Sequence, residues 1–111
     1  MKLCRIGELG KEKPAIIDKD GSYKDLSSAI SDLNPESLNF ETIEKIKKLN
    51  IKDLPTLDSR SRIGACVKNP SKFLGIGLNF KDHATEQNLP IPKEPIIFSK
   101  FTNCIVGPND N

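Results

Sequence analysis

His83 is the only histidine of the chain, and Glu86 stands three residues after it, behind the strand-like run Phe73 to Leu78. On a helix, residues three apart share a face. Imidazole is the side chain that exchanges a proton most readily near neutral pH, and a neighbouring carboxylate orients it and stabilises its cation. The pair can therefore act as a general base with its partner, although the same spacing also fits an ordinary surface pair. Lys100 stands near the end of the apolar run Ile96 to Phe101, where its position alone reads as a solvated edge lysine.

Other residues carry less chemistry. Gly75 and Gly77 lack the third glycine of a dinucleotide fingerprint and any surrounding βαβ unit, so they read as positions of tight packing and a sharp strand exit. Cys4, Cys66 and Cys104 are odd in number, far apart and without a Cys-x-x-Cys pair, which argues against a disulfide framework or zinc site and predicts free, buried thiols. Glu94 and Asp110 stand apart beside proline or turn residues. No metal site is assigned from these residues. Asn79 and Asp82 read as caps of the helix that carries His83.

The elements that must position these groups follow from periodicity. Lys2 to Ile6 and Lys13 to Asp18 read as strands in a small antiparallel sheet, with a turn at Asp18-Lys19-Asp20-Gly21. Leu26, Ala29, Ile30 and Leu33 have helical spacing, which predicts a helix capped by Asp25 or Ser27 and ended before Asn34-Pro35. A second helix is expected from an Asn39 cap, with Ile43, Ile46 and Leu49 inward. Leu54 to Arg62 has no period and reads as a connector. Beyond it come a strand over Phe73 to Leu78, a helix from Asn79 to about Asn88, a proline-bearing loop, and a strand over Ile96 to Phe101. Gly107 to Asn111 is turn chemistry. This gives an α+β fold with two parts, residues 1–70 and residues 71–111.

Seventeen basic and fifteen acidic residues among 111 leave a net charge of +2. The charges are dispersed, which argues against a nucleic-acid partner. No apolar stretch suits a signal peptide or a membrane span, so a cytoplasmic protein with no membrane partner is expected. Five Phe, one Tyr and no Trp make a modest core.

The runs Lys72 to Phe80, Asp82-His83-Ala84-Thr85-Glu86, Pro90 to Lys100 and Ile105 to Asp110, and more loosely Arg62 to Val67, resemble the start of the catalytic domain of fumarylacetoacetate hydrolase family enzymes. That resemblance implies a small N-terminal α/β domain followed by the first strands and lid helix of a mixed, β-rich catalytic domain, in an N-terminal fragment of a homodimeric enzyme. It implies that His83 and Glu86 move protons on a helix that closes over the active site, and that Lys100 faces the substrate. The intact protein would use Mg2+ or Mn2+, held by acidic residues beyond residue 111, to act on a small 2-oxo or enolisable carboxylic acid. Hydrolytic carbon–carbon cleavage of an acylpyruvate-type substrate is the leading expectation. Isomerase, decarboxylase and ureidoglycolate lyase activities remain open, as does a non-catalytic N-terminal module. The 111-residue chain alone is expected to be inactive and to hold no metal. Phe80 stands where the family commonly has tyrosine, which leaves the substrate open.

Overall fold

The computed structural model describes residues 1–110 and divides them into two units, residues 1–70 with 105–110 and residues 71–104. Helices and strands are mixed, as an α+β reading requires. No helix among the described residues is long and apolar enough to cross a membrane.

The first unit is built on a four-stranded antiparallel sheet in the order β1 (Leu3–Ile6), β2 (Lys13–Ile17), β3 (Tyr23–Asp25) and β4 (Thr56–Leu57). Side chains alternate across a sheet. Leu3 opposite Ile16 therefore faces one side and Cys4 opposite Ala15 the other, and both sides are apolar. Ile16 packs with Leu26, Ile30, Leu33 and Ile46, while Cys4, Ile6 and Ala15 form a second cluster with Tyr23, Leu57 and Ile63 around them. Gly21 turns β2 into β3 at φ +86°, a left-handed angle that glycine adopts without steric cost. Helix α1 (Phe40–Lys47) starts at Asn39, whose side chain accepts from the Thr42 N–H at 2.9 Å, and buries Ile46 completely. The connector expected over Leu54 to Arg62 contains β4, because Leu57 pairs with Tyr23 and joins its cluster.

The helix expected over Leu26 to Leu33 does not form. The chain makes one helical turn, with the Ile30 N–H on the Leu26 carbonyl at 3.0 Å, and then leaves it. Polar side chains win the backbone here: Asp25 accepts from the Ser27 N–H at 2.8 Å, Asp32 from the Leu33 N–H at 2.8 Å, and Ser37 Oγ donates to the Asp32 carbonyl. Ser, Asp and Asn offer the backbone such alternatives to helical bonding. Leu26, Ile30 and Leu33 are buried all the same.

Buried charge fastens the end of this unit to its beginning. Arg5, only 4% exposed, donates through Nε to Asp32 at 2.7 Å and through Nη2 to Glu12 at 3.2 Å. Arg62 reaches Glu12 at 2.7 Å and grips Asp110 with two bonds of 2.6 and 2.5 Å. Lys68 lies 3.3 Å from Asp32. Asp110 is thus an ion-pair partner, not the isolated residue expected. It also accepts from the Gly107 N–H at 2.7 Å, and a Cβ on Gly107 would run into the Ile63 carbonyl. Cys4 is buried, but Cys66 and Cys104 are exposed, which corrects the expectation of three buried thiols.

The second unit is an antiparallel hairpin of β5 (Phe73–Gly77) and β6 (Ile96–Lys100), with helix α2 (Lys81–Glu86) in the connection between them.

Candidate functional site

The register sets the site's floor. Phe73 faces Lys100, Gly75 faces Phe98, and Gly77 faces Ile96 across the hairpin. Pairs opposite one another share a face, and residues two apart along a strand do too. Lys100, Phe73, Phe98, Gly75, Ile96 and Gly77 therefore occupy one face. Leu74, Ile76, Ile97 and Ser99 occupy the other. A Cβ on Gly75 would come within 2.5 Å of the Phe98 ring, so this glycine is the seat of that ring, as the tight-packing reading of the glycines requires.

The chain leaves β5 through Leu78 at φ +48°, a left-handed conformation that costs a leucine roughly 1–2 kcal/mol. This sharp exit gives way to α2 three residues later. The N-cap is Phe80, and no side chain caps the helix, so neither Asn79 nor Asp82 fills the role expected of it. Asp82 sits in the first turn, where a carboxylate complements the helix dipole. At the other end Asn88 is left-handed at φ +53°. Its N–H bonds the Thr85 carbonyl at 3.0 Å, and the Leu89 N–H bonds the Ala84 carbonyl at 2.9 Å. This is a Schellman stop with Asn in place of the usual Gly, and it holds the helix to six residues.

His83 and Glu86 lie on one face of α2, with His83 Nδ1 3.6 Å from Glu86 Oε2. That separation is slightly beyond a hydrogen bond and short enough for an ion pair when the imidazole is protonated. Both side chains are open to solvent, at 55% and 70% exposure. With Nδ1 turned to Glu86, Nε2 is the ring nitrogen left to take a proton. His83 borders an open groove of about 390 Å3 together with Gly77, Leu78, Asn79, Phe80 and Phe98.

Lys100 does not border that groove directly. Its ammonium lies 5.4 Å from the centre of the Phe73 ring and 5.9 Å from that of Phe98, within cation–π range of both. The Phe98 ring stands between the two chemistries, as a wall of the His83 groove and a neighbour of the Lys100 cation. Neither Phe73 nor Phe98 was singled out by type and spacing. The signal was the alternation of Phe98 and Lys100 on one strand face opposite Phe73 and Gly75.

Among the described residues no group of three or more His, Cys, Asp or Glu side chains could hold a metal ion. The residues present do not fit the Mg2+ or Mn2+ that the family resemblance implies.

No family model matches the chain. It is similar to curated proteins of Burkholderia that carry the name "Putative hydrolase". It is 46% identical over 110 residues to one from Burkholderia lata and to one from Burkholderia ambifaria, and 47% identical to one from Burkholderia multivorans. Each match covers 99% of this chain and 39% of the relative, so the chain spans well under half the length of the curated relatives it matches.

Proposed function

We propose that this chain belongs to a hydrolase of the fumarylacetoacetate hydrolase family that acts on small 2-oxo or enolisable carboxylic acids. The observation that carries the reading is the His83–Glu86 pair, 3.6 Å apart on one helix face beside a groove. The family resemblance of residues 72–110 and the hydrolase name of relatives 46% identical to the chain support it. In this reading His83 Nε2 takes a proton from water while Glu86 steadies the resulting imidazolium. The water oxygen bonds to the acyl carbonyl carbon of an acylpyruvate, the carbon–carbon bond to the pyruvate half breaks, and the electron pair leaves as an enolate that is then protonated. Lys100 holds the carboxylate or enolate charge. Mg2+ or Mn2+ and a homodimeric assembly belong to the same proposal for a protein of the relatives' length, with the ion held by residues outside this chain.

The exposure of His83 and Glu86 favours a second reading, in which they are an ordinary surface pair and the chain is a non-catalytic module. One assay separates the two. Acylpyruvate cleavage is measured for a protein of the relatives' length carrying this sequence, and for its His83→Gln and Glu86→Gln variants. Turnover is expected to fall by about two to four powers of ten with an unchanged melting temperature. Parental rates in both variants would leave only the surface pair.

A further inference from the structure

Three observations converge on Phe98. Its ring is seated on Gly75, where any larger residue would displace it. It lies 5.9 Å from the Lys100 ammonium, which the Phe73 ring flanks at 5.4 Å. It also walls the groove that His83 borders. Lysine has four rotatable bonds and an exposed lysine explores many rotamers, so two ring faces beside the cation restrict where its charge can be presented. The negative face of an aromatic ring attracts a cation without neutralising it, unlike a carboxylate. The ammonium is held and keeps its charge for an anion.

We propose that Phe98 is a positioning residue, which from its seat on Gly75 fixes the Lys100 cation across its own ring from the groove of His83, for a small carboxylate. The inference rests on the functional reading of Lys100 and His83 given above. Gly75 has a part in it as well, since only a residue without Cβ lets the ring lie down on the neighbouring strand.

The test is carbon-edited NMR of the 111-residue chain labelled at lysine. The Lys100 ε-methylene signal, assigned by its loss in Lys100→Arg, is expected upfield of the other lysines through the ring currents of Phe73 and Phe98. Phe98→Leu should move it back toward the other lysines, Phe98→Tyr should leave it in place, and Gly75→Ala should move it as Phe98→Leu does by lifting the ring. Cross-strand contacts between Leu74 and Ser99 report that the hairpin is intact; where Gly75→Ala loses them, the Phe98 pair alone decides. A Lys100 signal that coincides with the other lysines, or one that Phe98→Leu leaves unmoved, overturns the proposal. Titration with pyruvate is the second arm. It should shift the Lys100 signal in the parent and in Phe98→Tyr, at least threefold more tightly than in Phe98→Leu. No response in a chain whose upfield shift is intact sinks the substrate-binding role of Lys100 and leaves the positioning by Phe98 standing.

Discussion

A buried guanidinium that serves two carboxylates is an uneven partner, and substitutions at Arg5 should show it. Replacing Arg5 with Met leaves the Asp32 carboxylate buried with only the half-exposed Lys68 beside it, whereas Asp32→Asn leaves Arg5 still bonded to Glu12. Uncompensated buried charge costs about 3–5 kcal/mol. Arg5→Met should therefore lower the urea midpoint substantially more than Asp32→Asn, with the slope unchanged, and equal effects would show that the pair is not the source. The thiols make a second residue-scale prediction. Burial pushes the Cys4 thiol up from its ordinary pKa, while Cys66 and Cys104 are exposed. Ellman's reagent on the native chain should show two fast thiols and one that reacts only on unfolding; three fast thiols would contradict the fold of β1. None of the ion network was legible in the sequence, because Arg5 and Asp32 are 27 residues apart, Arg62 and Glu12 50, and Arg62 and Asp110 48. Only the tertiary fold brings them together, since Glu12, Asp32, Arg62 and Asp110 all lie outside the strands. The His83–Glu86 pair was legible because helical spacing alone places it.

Between elements, local pattern predicted what is buried better than how the backbone gets there. Leu26, Ile30 and Leu33 enter the core as their spacing suggests, but the side chains of Asp25, Asp32, Asn34 and Ser37 bind the backbone themselves and stop the helix after one turn. Asn39 and the apolar residues behind it agree with each other, and there the helix forms where expected. The hairpin of β5 and β6 was equally legible as two apolar runs around a polar helix. It is two-stranded, and Leu74, Ile76 and Ile97 on one face are 55%, 44% and 63% exposed. An isolated two-stranded sheet is marginal in water, and open apolar strands recruit other chains. The 111-residue chain is accordingly expected to sediment faster as its concentration rises, and Leu74→Lys with Ile97→Lys should suppress this. Monomeric sedimentation of the parent at every concentration would show that the exposed face does not associate.

The first unit as a whole is closed by ion pairs. The segment 105–110 returns to this unit, and Arg62 holds it through Asp110 while holding Glu12 on the other side. Burial alone would raise the Glu12 and Asp32 carboxyls, but bonds and charge from Arg62 and Arg5 outweigh it and hold both below their ordinary values. Asp110 is held low chiefly by its bonds from Arg62 and the Gly107 N–H, and Arg62 is pushed up in return by Asp110 and Glu12, so it stays charged throughout the accessible range. A carboxylate depressed by folding contributes stability that is fully present above its unfolded pKa and is lost as pH falls through the folded value. With unfolded values near about 4, the melting temperature should be level from neutral pH to about 5 and drop steeply below about 4. Glu12→Gln and Asp110→Asn should each lower the plateau and shallow the acid limb, because a neutral amide has no proton to gain. Limited proteolysis gives the spatial half of the prediction: cleavage after residue 105 should appear at acid pH in the parent and already at neutral pH in Asp110→Asn. A parent chain whose stability stays flat or rises as pH falls from 5 to 3 would show that these carboxylates are not held low by the arginines, and that the return of residues 105–110 is maintained by packing at Gly107 alone.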